Sequence, residues 1–215
     1  MANFTVVYDA CLLYPASIRD LAVELARAGL LHAKWTARIH AEWINAVIRR
    51  RPELDRARLE RVADLMNSAV PDCLVTGFES LEAALTALPD PDDCHVLAAA
   101  IHCGAQEIVT FNLRDFPEAV LHPYGIRAVH PDVFVEHLLD LNPEAVCEAI
   151  RRIRRRLINP PSTAEDMLAK YENQGLAVSA SILRVRVNSL WQSRWIPGRC
   201  ENESSKSAAI VISND

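Results

Sequence analysis

The chain has 215 residues, of which 50% are hydrophobic and 24% are charged. This balance is typical of a globular protein with one sizeable core. The first residues lack the basic and apolar regions of a signal peptide, and no apolar run reaches the roughly 18 residues of a membrane span. We therefore expect a cytoplasmic protein that has no contact with a membrane.

The formal net charge of −5 does not favour nucleic acid as a partner, but the charges are unevenly distributed along the chain. Basic runs occupy residues 49–51 and 151–156, and acids gather at residues 90–93. Either basic run alone would be interpreted as a solvated helix face, whereas the combination fits a protein that binds a phosphate backbone. The six cysteines form no C-x-x-C pair, which argues against a zinc site.

The first predicted element is a buried strand at 4–8, because this run is apolar and rich in β-branched residues. It ends at Asp9. Amphipathic helices are predicted next, at 15–28, 36–50 and 54–69. A second strand is predicted at 73–76, where the sequence reads C-L-V-T.

An acidic turn with two prolines at 89–93 is predicted to begin a helix of small residues at 96–101, which Gly104 ends. Further elements are predicted in the order strand, strand and helix, at 108–111, 126–129 and 131–141. This alternation of strands and helices predicts an open, mostly parallel sheet that is covered by helices.

Beyond residue 141 the pattern becomes helical. Asn142 begins an arginine-rich helix that extends to about residue 157, and a capping box at 162–165 begins another helix that ends near Gly175. Residues 185–187 alternate like an edge strand. The predicted organisation is an α/β domain at 1–140, a helical C-terminal extension at 141–175, and a tail at 176–215 to which no role is assigned.

This topology brings polar side chains from separate segments to one edge of the sheet. Asp9 follows the first strand, and Asn112 follows the strand at 108–111. Ligands bind beyond the carboxyl ends of parallel strands, near the point where the strand order reverses. Asp93 begins the helix that leads into the strand at 108–111, and this helix runs opposite to the strand, so we expect Asp93 at the same edge.

Carboxylates that cluster raise one another's pKa unless a cation neutralises them. Oxygen ligands without paired His or Cys suit Mg²⁺ or Mn²⁺. Such an ion can hold a phosphodiester and lower the pKa of an attacking water. Asp92 is assigned to capping the helix and Asp93 to the site, and the reverse assignment stays open. Asp115 is equally compatible with an ordinary loop acid, and His95 and His102 are assigned to packing or to the surface.

Three stretches of sequence together resemble the PIN domain family. They are V-V-Y-D-A-C-L-L at the first strand, E-W in the second predicted helix, and D-P-D-D-C-H-V-L-A-A-A-I-H-C-G-A-Q-E-I-V-T-F-N-L-R-D-F-P. The resemblance covers residues from about 4 to 140 and is greatest to the bacterial branch that includes the VapC toxins of toxin–antitoxin pairs. The helices at 142–175 resemble the C-terminal extension that some of these proteins carry.

The resemblance implies a three-layer α/β/α fold with a central, mostly parallel sheet, and a Mg²⁺- or Mn²⁺-dependent endoribonuclease that cleaves single-stranded or structured RNA. The metal ligands of the family map to Asp9, Glu42 and Asp93. Glu42 would ordinarily be interpreted as a surface residue, so its assignment depends on the resemblance. The fourth acidic position is Asn112, a weaker neutral ligand, and Asp115 is the candidate that compensates.

The position two residues after the first acid is Cys11, which is expected to remove a hydrogen-bonding group of the family. The resemblance also implies an antitoxin protein as partner and a homodimer. Candidate contacts to the RNA backbone are the arginine runs, in particular Arg49 and Arg50, together with Arg114.

Two alternatives stay open: a PIN nuclease that acts in RNA processing without an antitoxin, and a catalytically silent module that binds RNA or protein. Two others are disfavoured. A phosphotransferase of the haloacid dehalogenase type needs a second Asp where this chain has Cys11, and a dinucleotide-binding enzyme needs a glycine-rich turn after the first strand.

Overall fold

The computed structural model describes residues 4–158 and 161–190. Four short parallel strands form one sheet in the order β2-β1-β3-β4. They are β1 (Thr5–Tyr8), β2 (His32–Lys34), β3 (Glu107–Val109) and β4 (Arg127–Val129). The chain moves from β1 outward to β2 and then crosses back to β3 on the other side of β1. The strand order therefore reverses between β1 and β3, which is where a parallel sheet binds its ligands.

Helices account for most of the remaining described residues. In chain order they are α1 (Ala10–Leu13), α2 (Ala16–Arg27), α3 (Ala37–Arg50), α4 (Arg56–Ala69), α5 (Glu79–Glu82), α6 (Cys94–His102), α7 (Glu118–Leu121), α8 (Pro131–Leu141), α9 (Pro143–Arg156), α10 (Ala164–Asn173) and α11 (Ala177–Leu190). With the parallel sheet they form the predicted three-layer α/β/α arrangement with additional C-terminal helices, so the predicted fold class is confirmed.

The core lies between the sheet and its helices and contains two large aromatic side chains, Trp35 and Trp43, that are fully buried. Arg19 is buried with them, and its guanidinium carbon lies 4.4 Å from the centroid of the Trp43 ring. Its Nη1 donates to the carbonyl oxygen of Leu13 at 2.7 Å, and this pairing lowers the cost of burying the charge.

Two strand predictions are wrong. The predicted strand at 73–76 makes only an isolated parallel bridge between Trp35 and Leu74, and the second strand of the sheet is β2, which the sequence analysis missed. β2 has three residues, so the alternation of polar and apolar residues that identifies a strand cannot develop. The predicted edge strand at 185–187 lies within α11, where buried Ala180 and Leu183 are three residues apart on the helix.

The C-terminal helices pack against the α/β domain through ion pairs and a helix cap. Glu24 of α2 is 1% exposed, and it accepts from Nε of Arg152 at 2.6 Å and from Nη1 of Arg156 at 2.8 Å. Asp132 of α8 accepts from the backbone N–H groups of Val178 and Ser179 in the first turn of α11, at 2.9 and 2.8 Å. Both contacts join residues distant in sequence, so the extension is an integral part of the fold.

The capping box of α10 consists of Thr163 and Asp166, one residue later than predicted. The predicted organisation at 1–140 and 141–175 stays a prediction. Most of the unassigned tail, from residue 191 onward, lies outside the described residues. Within the described part of the chain, no helix has the length and apolar character to cross a membrane.

Candidate active site

The carboxyl ends of β1 and β3 lie side by side, because Tyr8 is paired with Val109 in the register of the sheet. Asp9 and Thr110 are the next residues on the two strands. The backbone N–H of Asp9 donates to the carbonyl oxygen of Val109 at 3.2 Å, which continues the ladder for one residue. Asp9 therefore lies at the edge where the strand order reverses. It is 5% exposed.

Hydrogen bonds hold both oxygens of the Asp9 carboxylate. Oδ1 accepts from the backbone N–H of Ala10 at 2.6 Å. Oδ2 accepts from the Thr110 hydroxyl at 2.7 Å and from the Cys11 thiol at 3.0 Å. A carboxylate with several donors is oriented without loss of its negative charge, which is the arrangement that a metal ligand requires.

Cys11 itself contributes hydrogen bonds to this edge. The expectation that Cys11 removes a hydrogen-bonding group from the site is therefore wrong. Besides donating to Asp9, its sulfur lies 3.2 Å from the Thr110 hydroxyl and accepts from the backbone N–H of Phe111 at 3.2 Å. Burial and the neighbouring Asp9 carboxylate raise the pKa of the Cys11 thiol to about 12. The thiol stays protonated at neutral pH and acts as a donor to Asp9.

Asp93 lies where a 3₁₀ turn (Pro91–Asp93) meets the first turn of α6. Its pKa is raised to about 7, first by burial and then by the negative charges of Asp9, Asp115, Asp90 and Glu42. Each of these carboxylates is therefore close enough to Asp93 to disfavour its ionisation. This electrostatic coupling supports the predicted convergence of Asp9, Glu42 and Asp93.

The assignment of Asp92 as the capping residue is wrong. The side chain of Asp90 caps the 3₁₀ turn by accepting from the backbone N–H of Asp92 at 2.9 Å. Asp92 is exposed, whereas Asp93 is partly buried beside the other acids. Of the two neighbouring carboxylates, Asp93 is the one that the fold directs towards the cluster.

Glu42 lies in the middle of α3 with 35% of its side chain exposed. Its Oε1 is 3.3 Å from Nε of Arg38 and 2.8 Å from Nε2 of His95. His95 is completely buried. Its ring N–H does not point at the carboxylate, so this close approach is electrostatic contact rather than a directed hydrogen bond, and neither ring nitrogen has a hydrogen-bond partner in the described part of the chain.

The two remaining predicted residues follow β3. The backbone N–H of Asn112 donates to the Thr110 hydroxyl at 2.9 Å, and its side chain is exposed. Asp115 is less exposed than Asn112, and its charge raises the pKa of Asp93. Asp115 is thus one of the four acids whose charges raise the pKa of Asp93.

The chemistry of these side chains fits a hard divalent cation. Asp9, Glu42, Asp93 and Asp115 offer only oxygen atoms as ligands. The raised pKa of Asp93 reflects burial first and then the negative charge of neighbouring carboxylates, which a cation would neutralise. Among residues 4–158 and 161–190, no three His, Cys, Asp or Glu side chains are close enough together to hold a metal ion as they stand. Coordination therefore requires side-chain rotation, which half-exposed Glu42 allows.

The predicted arginine contacts lie in three different settings. Arg114 is exposed directly before Asp115. Arg49 and Arg50 are exposed at the C-terminal end of α3, roughly 10 Å of helix rise beyond Glu42. Two members of the 151–156 run, Arg152 and Arg156, pair with buried Glu24, and this pairing does not support the contact with RNA predicted for that run.

The sequence analysis missed three residues that contact the candidate ligands: Thr110, Arg38 and His95. Thr110 and His95 are fully buried. Arg38 is one helical turn before Glu42 and also donates to Glu82 at 2.7 Å, and the i, i+4 spacing from Glu42 was the signal that could have identified it.

Two family models match the chain. A model of the PIN domain matches residues 5–114, which is just over half of the chain. The chain belongs to the PIN domain family. The predicted family is thus confirmed, and the matched range includes Asp9, Glu42, Asp93 and Asn112 and ends at Arg114. A second model, that of the VapC50 C-terminal domain, matches residues 131–185, so the helices from α8 to α11 also have a counterpart among known proteins.

One relative adds to this PIN domain assignment. A protein of Mycobacterium tuberculosis (strain ATCC 25618 / H37Rv) that bears the name "Putative ribonuclease VapC50" is 40% identical over 106 residues, which cover 47% of this chain and 62% of that protein. The chain thus spans about three fifths of the length of this relative. No solved structure matches the chain.

Proposed function

We propose that this PIN domain protein is a metal-dependent endoribonuclease and the toxin of a toxin–antitoxin pair. The observation that carries the proposal is the raised pKa of Asp93, to which burial contributes most, followed by the charges of Asp9, Asp115, Asp90 and Glu42. Carboxylates that gather around Asp93 and disfavour its ionisation at the switch point of a parallel sheet are the arrangement expected of a cation site. The family match and the name of the Mycobacterium relative favour ribonuclease chemistry at this site.

Asp9, Glu42 and Asp93 would hold the cation, for which Mg²⁺ or Mn²⁺ suits the oxygen donors. When bound, the ion supplies charge neutralisation at the phosphodiester and lowers the pKa of an attacking water. Thr110 and Cys11 fix the Asp9 carboxylate by donating to Oδ2. The site thus orients its first ligand through protein donors before the substrate arrives.

Arg114 is placed to contact the RNA backbone, because it is exposed and adjacent to Asp115. An arginine side chain at the border of an acidic cluster attracts the phosphate groups that the carboxylates alone would repel. Arg49 and Arg50 would contact a longer RNA further along α3. An antitoxin would compete with RNA for the same acidic edge. The protein would form a homodimer.

The test is cleavage of a labelled single-stranded RNA by the full chain with Mg²⁺ or Mn²⁺, repeated with EDTA. We expect cleavage that EDTA abolishes and that Asp9→Asn and Asp93→Asn each reduce by several orders of magnitude. Asp92→Asn is the matched control, because it removes an exposed acid from the same turn and should leave cleavage unchanged. Cleavage that persists in both site variants would exclude this carboxylate cluster as the active site.

A catalytically silent binding module is the competing function, and it predicts RNA binding without cleavage under every metal condition. A nuclease of RNA processing would cleave RNA equally well but would have no antitoxin. An adjacent reading frame whose product binds this chain and inhibits its cleavage distinguishes the toxin from the processing enzyme.

A further inference from the structure

His95 is the one completely buried histidine in the described part of the chain, and it lies beside the candidate site. It is two residues after Asp93 in the first turn of α6. Neither ring nitrogen has a hydrogen-bond partner among residues 4–158 and 161–190. A buried polar group without a partner carries a desolvation cost, so such a group is expected where a functional contact compensates for it.

The group that His95 faces is Glu42. Its Nε2 lies 2.8 Å from Oε1 of Glu42, although the contact is off the axis of the ring N–H. The last side-chain torsion of a glutamate is broad and costs little to rotate. Because Glu42 is 35% exposed, its carboxylate has room to rotate towards the N–H axis, and such contacts commonly tighten when a site binds its ligands.

The two oxygens of Glu42 have different surroundings. Oε1 faces both His95 and Arg38, whereas Oε2 has no hydrogen-bond or ion-pair partner among the described residues. Oε1 therefore accepts a hydrogen bond from Arg38 and lies close to His95, while Oε2 is available to a cation. Ligating carboxylates commonly show this division, in which a donor on one side orients the ligand.

His95 is better suited than Arg38 to orient the ligand. The Arg38 side chain is 41% exposed and is shared with Glu82, so solvent and a second acid weaken its hold on Glu42. The His95 ring is buried on α6, the helix that directly follows Asp93. A contact between His95 and Glu42 therefore fixes the position of the Glu42 carboxylate relative to the Asp93 carboxylate.

We propose that His95 is a positioning residue that holds Oε1 of Glu42 so that Oε2 faces the cation shared with Asp9 and Asp93. This inference rests on the proposed metal-dependent function. Removing a partner of this kind typically weakens metal binding by about 10- to 100-fold. The effect depends on a donor at the position of Nε2 and not on the bulk of the imidazole ring.

The test compares Mn²⁺ binding by the full-chain protein, measured by titration calorimetry, among His95→Gln, His95→Asn and His95→Leu. Gln places an amide N–H near the position of Nε2, whereas Asn reaches only the position of Nδ1 and Leu offers no donor. We expect Gln to retain most of the affinity, and Asn and Leu to raise the dissociation constant about 10-fold or more. His102→Leu, the same substitution at an exposed position of the same helix, should bind Mn²⁺ like the wild type.

A double-mutant cycle separates positioning from a general loss of packing. If His95 acts through Glu42, His95→Asn should weaken Mn²⁺ binding in the wild type but add little to Glu42→Gln. Equal affinities of the Gln and Asn variants, or losses that simply add in the double mutant, would overturn the inference. Circular dichroism shows whether each variant is folded, and the Gln–Asn comparison decides the question if His95→Leu does not fold.

The two proposals fail in different ways. A wild-type protein that neither binds Mn²⁺ nor cleaves RNA would contradict the proposed function itself. A wild-type protein that does both, with His95→Asn unchanged in Mn²⁺ affinity, would contradict the role of His95 alone.

Discussion

Thr110 and Asp9 lie 101 residues apart in the sequence, and the Thr110 hydroxyl donates a hydrogen bond of 2.7 Å to Oδ2 of Asp9. The same hydroxyl accepts from the backbone N–H of Asn112 at 2.9 Å, so its single proton is directed towards the carboxylate. Thr110 is fully buried, and a charge-assisted hydrogen bond is stronger in such surroundings than in water. The contact ties the carboxyl ends of β1 and β3 together at the candidate ligand.

Replacement of Thr110 by Val removes this donor while keeping the shape of the side chain. We expect kcat/KM for RNA cleavage to fall by about 10- to 100-fold, because the ligand loses its orientation. The free energy of unfolding should fall by about 1–3 kcal/mol, since Asp9 and the Asn112 N–H each lose a partner. Thr110→Ser keeps the hydroxyl and should retain most of the activity; equal losses in the Ser and Val variants would exclude the hydrogen bond as the cause.

Asp93→Asn should stabilise the protein in EDTA while it abolishes cleavage. The folded-state pKa of about 7 is raised above the ordinary value of 3.8, so ionisation of Asp93 costs more in the folded state than in the unfolded state. This destabilisation is absent below pH 4, grows as the pH rises from about 4 to 7, and is complete above pH 7. The melting temperature of the variant should therefore exceed that of the wild type at pH 8, and the difference should disappear near pH 4.

Addition of Mn²⁺ at pH 8 provides the control for this effect. A cation that neutralises the cluster removes the repulsion, so the wild type should gain more stability from Mn²⁺ than Asp93→Asn does. A variant that is less stable than the wild type at pH 8 in EDTA would show that electrostatic repulsion does not dominate at Asp93.

Glu24→Gln should weaken the attachment of the C-terminal helices. Burial raises the pKa of Glu24, but hydrogen bonds from Arg156 and Arg152 lower it by more, and the net shift is below its ordinary value of 4.5. We expect the free energy of unfolding to fall by about 3 kcal/mol, the lower end for breaking a buried ion pair, because Arg152 remains 36% exposed. Chemical denaturation at pH 7 measures this loss.

The stabilisation by Glu24 should be present above about pH 4.5 and should decline as the pH falls and the carboxylate becomes protonated. Glu148→Gln is the matched control, because Glu148 pairs with Arg151 and Arg155 on the surface of α9, the helix that carries the arginine partners of Glu24. Surface pairs contribute about 1 kcal/mol at most. Equal effects of the two variants would show that the contact with Glu24 has no special role in attaching α9.

Arg114→Ala should weaken RNA binding in a salt-dependent way. Measured in the Asp9→Asn background to keep the RNA intact, the slope of log affinity against log salt should decrease by about 0.7, as expected for one lost contact to single-stranded phosphate. Arg49→Ala and Arg50→Ala should have this effect only with an RNA long enough to extend along α3. An unchanged slope in Arg114→Ala would remove this residue from the proposed RNA interface.

The strongest predictions from the sequence were those that depend on local patterns. The helix at 131–141 and the helices at 15–28 and 36–50 were placed within a residue or so of α8, α2 and α3, because caps and apolar periodicity act within a few residues. β2 was missed because its three residues carry too little periodicity. The helix at 185–187 was missed because packing against α8 and α10 decides the conformation of α11.

The amino-acid sequence alone placed Asp9, Asp93 and Asn112 at one edge of the sheet, since strand ends and helix starts follow from local patterns and from the rules of parallel topology. Only the tertiary structure decided which groups contact the candidate ligands. The Thr110 hydroxyl reaches Asp9, and the buried ring of His95 approaches Glu42, across the fold. Such contacts depend on the register between strands and on how closely Glu42 of α3 approaches His95 of α6, and neither leaves a periodic signal in the sequence.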